Sequence, residues 1–133
     1  MLVSAQEAAE IRDYVLRLNS AKNDGMAVAV EGRRDADALR RLGYAGTILE
    51  FHRFGGLGNF VDHAARYESV VVLFDGDRKG RRLTGRVARQ LERRTNVNLS
   101  LRRRFWKITR GRITFIEQLA CYEHAVMMLL PLQ

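Results

Sequence analysis

Two groups of carboxylates at the ends of apolar runs carry the chemistry open to this sequence. Glu31 follows Val28-Ala29-Val30 and opens Glu31-Gly32-Arg33-Arg34-Asp35, while Asp75-Gly76-Asp77-Arg78-Lys79-Gly80 follows the run Val70 to Phe74. Short, wholly apolar runs read as strands covered on both faces, and ligands of open α/β sheets bind beyond the carboxyl ends of their strands. Asp75 and Asp77 flank Gly76, so in extended backbone both side chains point to one side with nothing between them. If the two strands are neighbours, Glu31, Asp75 and Asp77 converge. Like charges held that close require a cation, and an all-oxygen donor set suits Mg²⁺, with Mn²⁺ as a substitute. Capping is the structural alternative: Asp35 and Asp77 both precede expected helices and can close their first turns. It accounts for little at the strand exits, Glu31 and Asp75.

The elements that must position these groups follow from periodicity. Residues 4 to 19 place Ala8, Ile11, Val15 and Leu18 at helical spacing. Met26 to Val30 is the first strand, and a helix over Asp35 to Leu42 ends at Gly43. A second strand, Thr47 to Phe51, leads into Phe54-Gly55-Gly56-Leu57-Gly58, where Gly55 and Gly56 let backbone approach a ligand or a neighbouring strand. A helix over Asn59 to Tyr67 precedes the strand Val70 to Phe74. Gly80 to Arg94 is helical, with Leu83, Val87 and Leu91 inward and Arg82, Arg86, Arg89 and Arg93 as a second stripe. Val97, Leu99 and Leu101 alternate with polar residues, as in a half-exposed edge strand. Arg102 to Arg112 reads as a basic connection, Ile113 to Ile116 as a short strand, and Glu117 to Leu130 as an apolar helix stopped by Pro131. This alternation predicts an α/β protein of three layers, with helices on both faces of a mainly parallel sheet of about four strands. It is read as a single domain over residues 1–133, with its core at 26–101 and the segments 1–20 and 102–133 packed on it.

Charge is segregated along the 133 residues, whose net charge is +8. Residues 78–112 hold 14 of the 23 Lys and Arg and a single acid, Glu92. An acidic part joined to a basic part reads as metal on one side and polyanion on the other; a merely solubilising arginine surface is the bland alternative. Arg82, Arg86, Arg89, Arg93, Arg102, Arg103 and Arg104, with Lys79, would form a phosphate-tracking surface beside the acids. Phe105 and Trp106 are candidates for base stacking or for core packing. His52, His63 and His124 lack metal-ligand spacing; His52 is the best placed, because it is expected to end a strand on the same side as Glu31. The lone cysteine, Cys121, excludes an intramolecular disulfide and reads as a buried, inert thiol. Neither a signal peptide nor a membrane span is expected, so the reading is a cytoplasmic protein that contacts no membrane.

With Val-Ala-Val-Glu-Gly-Arg-Arg-Asp and Val-Val-Leu-Phe-Asp-Gly-Asp-Arg-Lys-Gly in this order and spacing, the sequence resembles the Toprim domain. That module is shared by topoisomerases, bacterial-type primases, OLD-family nucleases, RecR-like repair proteins and a ribosomal-RNA maturation nuclease, and the resemblance covers about Met26 to Leu101. It implies that Glu31 acts as general acid or base or joins the metal shell, and that Asp75 and Asp77 coordinate Mg²⁺. Gly32, Gly76 and Gly80 would keep the turns tight, and Asp35 would be an outer-shell or second-metal ligand. Where the family often has a further acid after the paired aspartates, this chain has Arg78 and Lys79. No second domain is expected to deliver a topoisomerase tyrosine. The expectation is therefore a Mg²⁺-dependent nuclease acting on DNA or RNA. The alternative is a RecR-like binding or assembly factor whose apolar terminal helices form a homodimer or partner surface. A small-molecule phosphatase would leave the arginines without a role.

Overall fold

Alternation along two central strands sorts the core into two layers. A computed structural model describes residues 3–21, 25–109 and 116–127. In β1 (Met26–Val30), Met26, Val28 and Val30 face one side and Ala27 and Ala29 the other. In β3 (Ser69–Val72) and the residues after it, Val71 and Leu73 join the first side, and Val70, Val72 and Phe74 the second. That period of two, with both faces buried, is what a strand enclosed between helix layers requires.

The sheet is parallel throughout, in the order β2-β1-β3-β4, with β2 at Thr47–Glu50 and β4 at Asn96–Asn98. Val28 pairs with Ile48 of β2 on one side and Val71 of β3 on the other. The two strands that end in the acids are therefore adjacent. On the first face lie α1 (Ala5–Ala21), α2 (Arg33–Arg41), α5 (Ser100–Thr109) and α6 (Ala120–Met127), which contribute Ile11, Leu39, Phe105 and Tyr122 to the core. On the second lie α3 (Leu57–Ala64) and α4 (Arg78–Leu91), which contribute Phe60, Val61, Val87 and Leu91. The expected three-layer α/β architecture is the one observed.

Beyond β4 the chain departs from expectation. Residues 102–109, expected as part of a basic connection, belong to helix α5, because Leu101, Phe105 and Ile108 make an apolar stripe at helical spacing beneath the arginines. Asn98 starts this helix by accepting the Leu101 N–H on Oδ1 at 3.0 Å. Tyr14 of α1 then fixes it, donating to the Leu101 carbonyl at 2.8 Å, with its ring 5.6 Å from that of Phe105. Of the expected strand Ile113 to Ile116, only Ile116 lies within the described residues, where it opens a 3-10 turn over Ile116–Leu119 rather than a strand. The Cys121 side chain lies outside the described set. Among the described residues no helix is long and apolar enough to cross a membrane.

Candidate active site at the strand exits

The β1–β3 ladder runs past the end of β3, where the Leu73 N–H donates to the Ala29 carbonyl at 2.8 Å, and delivers Glu31 and Asp75 side by side. The Asp75 N–H donates to Glu31 Oε2 at 3.1 Å, and the two carboxyl groups lie within hydrogen-bonding reach of each other. Asp75 Oδ1 also accepts the Ile116 N–H at 2.7 Å. Burial pushes the Asp75 carboxyl up to about 7, helped by the hydrogen bond to Glu31 and the charges of Glu31 and Asp77, and opposed by the Ile116 N–H.

Asp77 stands at the N-cap of α4, its Oδ1 accepting the Gly80 N–H at 2.7 Å. Asp35 lies inside α2, at its third residue, and reaches back, its Oδ2 accepting the N–H of the N-cap residue Gly32 at 2.9 Å. The expected N-cap exists at Asp77, whereas Asp35, expected ahead of its helix, closes the first turn from within it. An ionised carboxylate has roughly four lone-pair sites, so one cap bond does not use up its capacity as a ligand.

All four acids border one open pocket of about 490 Å³, together with His52, Arg33, Arg34 and Lys79. Glu31, Asp75 and Asp77 thus border one pocket. Among the described residues no three His, Cys, Asp or Glu side chains are grouped closely enough to hold a metal ion. The donors present are carboxylate oxygens, the type Mg²⁺ prefers, and the raised Asp75 fits a centre that a cation would neutralise.

One glycine is required by close approach and a second is tightly packed. A Cβ on Gly80 would lie 2.1 Å from the Asp75 carbonyl oxygen, so the first turn of α4 can close against the acidic loop only without a side chain there. A Cβ on Gly76 would meet the Trp106 ring at 3.1 Å. Gly55 and Gly56 take φ of 72° and 125°, a left-handed stretch of loop before α3. Gly32 differs from expectation: its backbone is extended and a Cβ would make only ordinary contact with His52, 3.5 Å away.

The expected arginine surface is divided. Arg82, Arg86 and Arg89 are exposed on α4, with Arg93 just past its end. Arg103 and Arg104 are exposed on α5, across the sheet from α4. Arg102 is no free cation. It is half-buried, and it donates from Nε to the Phe74 carbonyl at 3.0 Å and from Nη2 to the Asp75 carbonyl at 2.5 Å. Burial, the first cause, and the charge of Arg81 lower its pKa, while Glu31, Asp75 and Asp77 raise it. Its place is beneath the acids, bracing the backbone that carries them. Trp106 is half-buried against the α5 face of the core, edge-on to Phe105 at 4.7 Å, and its Nε1 finds no acceptor among the described residues.

His52 matters more than its spacing suggested. The 3-10 turn Phe51–Arg53 follows β2, and its His52 N–H donates to the Glu31 carbonyl at 2.9 Å. The β1–β2 register, Val30 against Glu50, carries the signal, since it places the next residues beside Glu31. Phe51 anchors the turn against Phe60 and Phe74, and the imidazole reaches the acidic pocket.

Comparison with known proteins places this chain in a lineage. A UPF0292 protein of Thermococcus sibiricus is 37% identical over 93 residues, 69% of this chain and 73% of that one. The chain belongs to the UPF0292 family. Another UPF0292 protein, from Thermococcus gammatolerans, is 36% identical over 70% of each chain, and one from Thermoplasma volcanium is 36% identical over 50% of this chain and 56% of its own. No family model matches. Among solved structures, a protein from Aquifex aeolicus superposes with a TM-score of 0.66 at 25% identity, covering 80% of this chain and 94% of that chain. The UPF0292 fold in this chain thus has a solved relative of nearly the same extent.

Proposed function

We propose that this UPF0292 protein is a Mg²⁺-dependent, Toprim-type nucleic-acid-processing enzyme that cleaves phosphodiester bonds of DNA or RNA. One observation carries the reading: Glu31 and Asp75 leave adjacent parallel strands in hydrogen-bonding reach, with Asp77 on the same pocket and burial pushing Asp75 up to about 7. Glu31, Asp75 and Asp77 would hold the cation, with Asp35 behind them. When bound, the ion supplies Lewis-acid polarisation of a phosphoryl oxygen. Glu31 takes the proton of the attacking water or returns one to the leaving hydroxyl. Lys79, on the rim of the same pocket, sets a positive charge against the scissile phosphate. Arg82, Arg86 and Arg89 hold the strand by its phosphates, which positions the polymer without reading its sequence.

The test is cleavage of a labelled panel of structured RNAs and DNAs with Mg²⁺ or Mn²⁺. Asp75→Asn and Glu31→Gln abolish turnover and leave low-salt binding largely intact. Undiminished cleavage by either variant overturns the assignment. A second reading, a non-catalytic assembly factor of RecR-like type, is favoured by the cap bonds of Asp77 and Asp35, which give both acids a purely structural use. Binding without cleavage by the wild-type protein selects it.

A further inference from the structure

The groove between α1 and α5 lies across the sheet from α4, and its chemistry is distinct from that of the acidic pocket. It has a volume of about 590 Å³ and is walled by Arg17 of α1 and by Arg103, Arg104 and Lys107 of α5, with Glu10 and Asp13 at its α1 side. All four cations are exposed, and no carboxylate among the described residues forms a salt bridge with them. Asp13 instead sits 3.5 Å from Arg12. Arg103 and Lys107 stand four residues apart on one helix, a like-charge arrangement that weakens a helix unless an outside anion compensates it. The two walls are tied together: Tyr14 of α1 bonds the Leu101 carbonyl of α5 and packs on Phe105.

We infer that the α1–α5 groove binds a phosphodiester backbone separate from the one held on α4, so that one molecule engages two nucleic-acid segments on opposite faces of its sheet. The occupant follows from the lining. Protein interfaces centre on apolar and aromatic anchors with charge depleted at the core, whereas this groove offers four cations and two carboxylates, a net positive lining, around the single apolar Ile108. Interfaces with nucleic acid are far more positive and wetter, as here. The inference deepens the nucleic-acid reading above but does not depend on catalysis, metal or Glu31.

The test is a sandwich assay in EDTA with the full chain. A biotinylated oligonucleotide of about 10 nucleotides, within the footprint of a single-strand groove, is immobilised and loaded with protein. A second, fluorescent oligonucleotide is then offered. The wild type captures it. Arg103→Gln/Arg104→Gln/Lys107→Gln lowers capture about tenfold or more, because several phosphate contacts vanish together. Arg17→Gln, on the other wall and another helix, lowers it too, which guards against a folding defect in α5. Loading of the first strand persists through α4 in the groove variants and through the groove in Arg82→Gln/Arg86→Gln/Arg89→Gln, and is lost only when both sets are combined. Capture that the groove variants leave unchanged, as a dimer presenting two α4 faces would give, overturns the inference. So does a groove that takes poly-glutamate but no oligonucleotide, which would assign it to an acidic polypeptide. Loss of cleavage in Asp75→Asn with capture intact separates this inference from the catalytic one.

Discussion

Oε2 of Glu31 accepts the backbone N–H of Asp75 at 3.1 Å, which links the ends of two adjacent parallel strands through an acid rather than through the ladder. The carboxyl of Glu31 is thereby fixed next to that of Asp75, and the repulsion between them is relieved by a proton on Asp75 near neutrality.

That proton makes stability depend on pH. Asp75 keeps it up to about 7 when folded, against 3.8 for the ordinary side chain. Between those values the folded state binds more protons than the unfolded one, so stability falls as pH rises from 3.8 towards 7 and levels off above. Asp75 is half exposed, and solvent screening leaves a fraction of the nominal shift, on the order of 1 kcal/mol and roughly 5 °C in Tm. Melting curves at pH 5 and pH 8 in EDTA should show that drop, and Asp75→Asn should flatten it. Mg²⁺ at saturating concentration should restore Tm at pH 8, since a ligand at a hundred times its Kd adds about 2.7 kcal/mol.

Gly80 answers to a backbone oxygen. Helix propensity favours Ala over Gly by about 1 kcal/mol, but a Cβ here would sit 2.1 Å from the Asp75 carbonyl. Overpacking costs about 1–3 kcal/mol and sometimes more, and backbone yields less than a side chain. Gly80→Ala should therefore destabilise in urea denaturation, whereas Gly85→Ala on the same helix, which meets nothing within 4 Å, should stabilise.

Arg102 should behave as structure. Arg102→Met strands the Phe74 and Asp75 carbonyls and should cost about 1–3 kcal/mol. The salt dependence of oligonucleotide binding should keep the wild-type slope.

The α4 arginines should behave oppositely. Arg82→Gln/Arg86→Gln/Arg89→Gln should leave Tm nearly unchanged, because all three are exposed. The slope of log K against log salt should shrink by roughly 0.7–0.9 per cation removed, read from fluorescence anisotropy at several salt concentrations.

Much of this is legible in the sequence. The apolar runs ending at Val30 and Phe74 announced the strands, and their acids announced the pocket, because burial on both faces leaves a strand little chemical latitude. What failed to show was what tertiary packing decides. Leu101, Phe105 and Ile108 carried the helical period of α5, but the arginines between them masked it, and the arginine-rich stretch read as a connection. Arg102 looked like its neighbours Arg103 and Arg104, yet one residue of helical rotation turns it inward to the Asp75 loop. His52 had no motif, since its place depends on the register of β2 against β1. Gly32 looked like Gly80 in sequence, and only the neighbour facing its Cα separates the two.

The central claim is that Glu31, Asp75 and Asp77 form one divalent-cation centre. Titration of Mn²⁺ into the metal-free protein, followed by loss of the free-ion EPR signal at pH 8, tests it most directly. The account predicts saturable binding that Mg²⁺ displaces and that Asp75→Asn, Asp77→Asn and Glu31→Gln each weaken about tenfold or more, as loss of a charged ligand from a small site requires. Mn²⁺ binding of equal strength in the wild type and all three variants, or none in the wild type, would contradict it.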